Sequence, residues 1–129
     1  MAGVVENDRV ARQIAELPIK DVVGTCVDVL FGDGDGDDGD DVIVQAPPGA
    51  GKTTTIPLAL VYSHKGKKWS KEHHRRGHHP EGGVVVVVEP RRVATRAAAA
   101  RMAAILGERV GETIGYAVRF ERAQSSSKK

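Results

Sequence analysis

The 129-residue sequence is poor in cysteine and aromatic residues, and it has no long apolar run. Its single cysteine, Cys26, excludes a disulfide framework and a zinc ribbon, and a lone thiol is typical of a small buried apolar side chain. No apolar run approaches the roughly 18 residues that span a bilayer, so we expect neither a membrane protein nor a membrane partner. Residues 1–10 lack the patterns of secretory signals and transit peptides, which predicts an intracellular chain, cytoplasmic or nuclear.

The composition that remains is that of one globular domain. Hydrophobic residues make up 40% of the sequence and charged residues 28%, and both values are ordinary for folded domains. A chain of 129 residues is long enough to bury one apolar core.

Two segments of opposite charge lie behind the formal net charge of +2. Residues 33–41 contain six aspartates and no cation, and residues 64–83 contain six Lys or Arg, two Glu and all five histidines. Neither segment has enough apolar surface to offset the entropy of ordering it, so we expect two disordered insertions. A calcium loop starting at Asp33 would need glycine and glutamate where Asp38 and Val44 stand, and the histidines lack the spacing of a structural zinc site.

Three segments have the apolar spacing of helices. The first ends at Pro18, and its apolar residues are Val10, Ile14 and Leu17. Residues 19–31 favour a strand by their valines and, slightly more, a helix by the spacing of Val22, Cys26, Val29 and Leu30. Residues 93–106 form the clearest helix, with Gly107 as its C-cap. The apolar stripe of that helix consists of Ala94, Ala98, Met102, Ile105 and Leu106.

Three further segments have the character of strands. Residues 41–46 and 84–88 are short continuous apolar runs, typical of parallel strands covered on both faces. Residues 113–120 alternate with period two, which places Ile114, Tyr116, Val118 and Phe120 on one face of a third strand. The order strand, helix, strand, helix, strand predicts an α/β fold with a parallel sheet and right-handed crossovers.

The segment that indicates chemistry is APPGAGKTT, residues 46–54, between a predicted strand and a helix at residues 54–62. It matches the phosphate-loop pattern GxxxxGK[ST] except that Ala46 replaces the first glycine. Gly49, Ala50, Gly51, Lys52 and Thr53 would cradle phosphates, with Lys52 on the terminal phosphates and the Thr53 hydroxyl on the Mg²⁺ of ATP or GTP. The alternative is a glycine-rich turn with a solvated lysine, and Pro57 should kink the helix that follows.

Four stretches, in order, resemble the DEAH-box helicases and most closely their HrpB-like branch. They cover about half of the chain, and their combination is more specific than any single motif. The four stretches are LPI at 17–19, QAPPGAGKTT at 45–54 with IPLAL after it, EPRRVATRAAAARMA at 89–103 and VGETIGYAVRFE at 110–121.

This resemblance implies the N-terminal part of a RecA-like P-loop NTPase motor that uses ATP and Mg²⁺ to unwind nucleic acid, RNA in most of the family. Lys52 and Thr53 correspond to the catalytic phosphate lysine and the magnesium threonine, and Thr54 completes the nucleotide loop. Pro90, Arg91 and Arg92 match the motif that lies against the nucleic-acid backbone, where adjacent guanidiniums suit phosphates. Arg101 matches the arginine that stacks on adenine.

The implied domain plan is a helical lead-in at 1–32, the acidic insertion at 33–41, a partial helicase ATP-binding domain at 42–124 interrupted at 64–83, and a polar tail at 125–129. The DEAH box, the SAT motif and the second motor domain with its arginine finger are absent from the sequence. We therefore expect a fragment that binds nucleotide weakly and unwinds nothing. Alternatives are a small P-loop kinase or other NTPase, and a non-catalytic module that binds nucleotide or RNA.

Overall fold

The computed structural model describes residues 5–32, 39–63, 65–66 and 84–124. Its helices are α1 (Asp8–Ala15), α2 (Lys20–Phe31), α3 (Lys52–Tyr62) and α4 (Arg92–Leu106), and its strands are β1 (Tyr116–Val118) and β2 (Glu121–Ala123). The chain divides into two compact units, Met1–Val86 and Val87–Lys129. Across the described ranges, every helix is too short or too polar to cross a membrane.

The first unit is built on α1, α2 and α3, which contact one another in pairs. Helix α1 begins after Asn7, whose side-chain oxygen accepts the N–H groups of Arg9 and Val10 at 3.1 and 3.2 Å and so satisfies two unpaired donors of the first turn. Val10 and Ile14 are 1% exposed, which confirms the apolar face predicted for this helix. Helix α3 starts two residues earlier than predicted and runs through Pro57 to Tyr62.

Helix α2 confirms the preference for a helix at 19–31, but the predicted buried face is partly wrong. Its buried residues are Val23, Cys26 and Val27, a stripe with the i, i+3, i+4 spacing of a helix face. Val22 and Val29 lie at the edges of this stripe and are 41% and 37% exposed. Cys26 is the small buried side chain that the sequence predicts, and burial raises the pKa of its thiol.

The two runs expected to form parallel strands are not paired within the described ranges. Residues 41–46 and 84–88 have no ladder, and the described strand pairs are the antiparallel β1–β2 ladder and a single bridge between Val5 and Ser63. Val42, Val44 and Ala46 are half-buried while Ile43 is 98% exposed, so this run is covered on one side rather than two. An apolar run becomes a strand only when a neighbour receives its hydrogen bonds, and sequence alone does not show that neighbour.

The second unit consists of α4 and the β1–β2 hairpin, which contact each other. Ala99, Met102, Ala103 and Leu106 are buried in α4. Gly107 has a left-handed φ of 73° at the end of α4, and the N–H of Glu108 donates to Ala103 O at 2.9 Å, which confirms the predicted C-cap.

The predicted third strand is half right. Ile114, Tyr116 and Val118 are half-buried and alternate with exposed residues, but Phe120 is 90% exposed in the turn that joins β1 to β2. Residues 113–120 therefore contain a three-residue strand and a reversal, because Val118 pairs with Glu121 across a two-residue loop.

Three predicted segments fall mainly or wholly outside the described residues. They are the acidic insertion at 33–41, of which residues 39–41 are described, the basic insertion at 64–83, of which 65–66 are described, and the tail at 125–129. Their expected disorder stays a prediction.

Candidate nucleotide-binding site

Residues 46–51 lead directly into the first residue of α3, Lys52. Gly49 and Gly51 have φ values of +80° and +100°, a region that L side chains enter only at a cost of about 1 to 2 kcal/mol. The N–H of Ala50 donates to Pro47 O at 3.2 Å, which closes a turn at the start of the loop. The two glycines thus provide the left-handed φ values with which the loop leads into helix α3.

The Lys52 side chain folds back over the loop that precedes it. Its Nζ donates to the carbonyl oxygen of Ala46 and, at 3.1 Å, to that of Pro47. The carbonyl oxygens of Ala46 and Pro47 therefore hold the Lys52 ammonium group against the first residues of the loop. Thr53 is exposed beside it and Thr54 is half-buried.

The underside of the loop packs against the connection between α1 and α2. A β-carbon built at Gly51 would lie 2.7 Å from Leu17 Cδ1 and 3.5 Å from Ile19 Cγ2. It would also lie 2.9 Å from Thr55 Oγ1, a buried hydroxyl without a hydrogen-bond partner in the described part of the chain. Leu17 and Ile19 belong to the LPI stretch of the sequence resemblance, but no spacing or periodicity in the sequence relates them to the loop.

The residues present fit a nucleoside triphosphate with its magnesium ion. A β-carbon built at Gly49 would meet nothing within 4 Å, so the loop is open on that side. The first turn of α3 provides backbone N–H groups and the positive end of a helix dipole, which favour phosphate oxygens. The exposed Thr53 hydroxyl is an oxygen ligand of the kind that Mg²⁺ accepts, and it would hold the Mg²⁺ of a bound nucleotide.

The arginines proposed for nucleic acid lie at the start of α4, in the second unit. Arg91 is the N-cap residue with extended φ and ψ of −119° and 131°, and Arg92 is the first residue of the helix. Pro90, Arg91 and Arg92 are all exposed, and Thr95 Oγ1 donates to Arg91 O at 3.0 Å. Arg101 is exposed further along α4. Lys52 and Thr53 belong to the first unit, and the three arginines belong to the second.

A polar cluster in the second unit had no signal in the sequence. Arg96 of α4 pairs with Glu121 of β2, and the Tyr116 hydroxyl of β1 donates to the same carboxylate. The hydrogen bond to Glu121 raises the pKa of Tyr116 above its ordinary 10.0. The hydrogen bonds from Tyr116 and Arg96, together with the charge of Arg96, lower the pKa of Glu121 below 4.5. The cluster ties the hairpin to α4.

The known proteins to which this chain is similar include several ATP-dependent RNA helicases. No family model matches the chain. It is 36% identical over 80 residues to the ATP-dependent RNA helicase HrpB of Escherichia coli, a match that covers 62% of this chain and 8% of that protein. It is 35% identical over 88 residues to HrpA of Borreliella burgdorferi, covering 68% of this chain and 9% of the relative.

A third relative is the ATP-dependent RNA helicase DHX33 of Drosophila melanogaster, 34% identical over 90 residues that cover 70% of this chain and 11% of the relative. These matches confirm that the sequence is similar to the DEAH-box ATP-dependent RNA helicases. The matched regions amount to about a tenth of the length of these relatives.

Proposed function

We propose that this chain is the nucleotide-binding part of an ATP-dependent RNA helicase motor and that residues 46–54 bind MgATP. One observation carries the proposal: a loop with positive φ at Gly49 and Gly51 delivers Lys52 to the first position of α3. The similarity to RNA helicases over about two thirds of the chain supports it. A parallel RecA-like sheet containing residues 41–46 and 84–88 is part of the same proposal.

Each loop residue has a role that follows from its position. The N–H groups of Gly49, Gly51 and Thr54 bind phosphate oxygens, and the Ala50 N–H exchanges Pro47 O for a phosphate oxygen. The Thr53 hydroxyl binds Mg²⁺. Bound ATP supplies the transferable phosphoryl group. Lys52 exchanges the carbonyl oxygens of Ala46 and Pro47 for phosphate oxygens, which are stronger acceptors because they are charged.

The nucleic-acid part of the proposal rests on α4. Arg91 and Arg92 are adjacent, exposed and placed where the helix begins, so both guanidiniums are open to the phosphates of a single strand. Pro90 fixes the backbone direction just before them. Arg101 is proposed to contact the adenine base.

Calorimetric titration of the full chain with MgATP tests the nucleotide site. Lys52→Ala should weaken binding by at least tenfold, because the phosphates lose a positively charged hydrogen-bond donor. Lys20→Ala is the matched control, since Lys20 is exposed on α2 and should leave the affinity within twofold. Equal affinities for the two variants would contradict the proposed site.

Binding of a fluorescent single-stranded RNA tests the second part. Replacing Arg91 and Arg92 with alanine should reduce the slope of log K against log salt by about 1.4, since each single-strand phosphate contact contributes about 0.7. The control removes the same charge from α1 by replacing the exposed Arg9 and Arg12. ATP binding without RNA binding would favour the kinase alternative, and RNA binding that ignores Lys52→Ala at every ATP concentration would favour the non-catalytic module.

A further inference from the structure

Two residues that pack against the phosphate loop at Gly51, Leu17 and Ile19, come from another part of the chain. Leu17 and Ile19 belong to the connection between α1 and α2, more than thirty positions before Gly51 in the sequence. Their side-chain carbons occupy the space that any side chain at position 51 would need, since a β-carbon there would lie 2.7 Å from Leu17 Cδ1. Contacts that close are possible only because residue 51 is glycine.

The connection itself is held by backbone hydrogen bonds on both sides of Pro18. The N–H of Leu17 donates to Ile14 O at 3.1 Å, and the N–H of Lys20 donates to Leu17 O at 3.1 Å. Ile19 is 1% exposed, and its carbonyl oxygen accepts the N–H groups of Val22 and Val23 at 3.0 and 3.2 Å. Leu17 is thus fixed to the end of one helix and the start of the next.

We infer that Leu17 is a positioning residue for the nucleotide site: its side chain packs under Gly51 and keeps that residue at its left-handed φ. Free glycine populates positive and negative φ about equally, so an unsupported Gly51 would sample both. Lys52 is the next residue and Thr55 N–H donates to Gly51 O at 2.8 Å, so the conformation of Gly51 sets the direction in which α3 and the lysine enter the site. For its effect on ATP affinity, this inference rests on the proposed function.

The test compares Leu17→Ala with Leu30→Ala in the full chain. Both leucines are half-buried in the first unit, and Leu30 lies near the end of α2, about 16 Å along the helix axis from Ile19. The two substitutions remove the same atoms, but only the first leaves space beside Gly51. Leu17→Met retains most of the volume and is the conservative variant, and Leu17→Val is a milder truncation should Leu17→Ala not fold.

Amide hydrogen exchange gives the first readout and needs no nucleotide. The Thr55 amide reports on Gly51, and the Ser63 amide, which donates to Ala59 O at 2.8 Å at the other end of α3, is the internal reference. Leu17→Ala should raise the ratio of the Thr55 rate to the Ser63 rate by about tenfold, whereas Leu30→Ala should change both rates together. A loss of overall stability would affect the ratio in both variants, so an increase confined to Leu17→Ala reports on Gly51.

MgATP affinity gives the second readout. Leu17→Ala should raise the Kd by about tenfold, which corresponds to 1.4 kcal/mol, while Leu17→Met and Leu30→Ala stay within threefold of the unsubstituted chain. An unchanged exchange ratio, or a changed ratio with unchanged affinity, overturns the inference. If the unsubstituted chain binds no MgATP, the proposed function fails, and the exchange ratio alone then decides whether Leu17 positions Gly51.

Discussion

Phe120 combines two properties that seldom occur together in an aromatic residue. Its φ is 69°, and its side chain is 90% exposed at the tip of the hairpin, where the Arg119 guanidinium lies 4.7 Å from the ring centroid. A left-handed conformation costs an L residue about 1 to 2 kcal/mol, and glycine avoids that cost. An exposed cation–π contact recovers about 0.5 to 1 kcal/mol.

Phe120→Gly should therefore leave the free energy of unfolding unchanged or raise it by up to about 1 kcal/mol. Phe120→Ala is the control, because it loses the same ring but keeps the left-handed penalty, and it should be less stable than the glycine variant. Urea denaturation of the three proteins measures the differences. An alanine variant as stable as the glycine variant would show that the turn carries no backbone strain.

The Tyr116–Glu121 hydrogen bond should make the stability of the fold depend on pH at both ends of the pH range. Since folding raises the pKa of Tyr116 above 10.0, the phenol contributes stability that is present below pH 10.0 and is lost as the pH rises through the folded-state pKa. Since folding lowers the pKa of Glu121 below 4.5, its contribution is present above pH 4.5 and is lost as the pH falls through the folded-state pKa.

NMR titration of the Tyr116 ring measures this coupling directly. Glu121→Gln should move the titration midpoint of Tyr116 down toward 10.0, because the hydrogen bond to a carboxylate is the largest cause of the upward shift. Glu112→Gln removes an exposed carboxylate from the same unit and should leave the midpoint where it is. A midpoint that ignores Glu121→Gln refutes the coupling.

The buried hydroxyl of Thr55 should lower the stability of the fold, because it makes no hydrogen bond within the described residues. The Thr55 side chain is 1% exposed and its hydroxyl has no partner among the residues that the structure describes. Valine has nearly the same shape and no hydroxyl to satisfy, so Thr55→Val should raise the free energy of unfolding by about 1 kcal/mol. Thermal denaturation checks this, with Thr53→Val at the exposed neighbouring site as the control for helix propensity. A lower melting temperature for Thr55→Val would mean that the hydroxyl is satisfied in solution.

At the scale of elements, the helices were predictable because their signals are local. Helix α4 has alanines throughout, one apolar stripe and a glycine at its end, and these indicate the same structure. The hairpin was not predictable in this way. Alternation describes Ile114 to Val118 correctly, but nothing in the pattern marks the reversal, because the turn uses Arg119 and Phe120 instead of the glycine or asparagine that such turns prefer.

Two glycines, one that caps a helix and one inside a helix, should respond in opposite directions to substitution by alanine. Gly107 ends α4 with a φ of 73°, so Gly107→Ala should lower the free energy of unfolding by about 1 kcal/mol. Gly24 lies inside α2, and a β-carbon built there meets nothing within 4 Å, so Gly24→Ala should raise it by about 1 kcal/mol. Chemical denaturation of both variants measures the signs, and a shared sign would show that one of the two assignments is wrong.

At the scale of the whole molecule, the site divides into a local part and a distant part. The loop could be predicted because Gly49 to Thr53 are contiguous and their spacing alone specifies the backbone. The packing of Leu17 under Gly51 could not, because no periodicity relates residues so far apart. For the same reason the apolar runs at 41–46 and 84–88 identify segments that favour strands without identifying what pairs with them.

The valine run at 84–88 should make the chain self-associate. Val84, Val86 and Val88 are 80%, 76% and 88% exposed and have no strand partner in the described ranges, and an exposed β-branched run without a partner can pair with other chains. The isolated chain should therefore self-associate with increasing concentration, and sedimentation velocity should detect it. Val86→Lys should suppress association, because a charge on an edge strand opposes pairing. Val93→Lys, at an equally exposed valine, adds the same charge outside the run and should not, since Val93 is 77% exposed in helix α4 and is not in a segment that could pair as a strand. Equal suppression by both variants would assign the effect to net charge rather than to strand pairing.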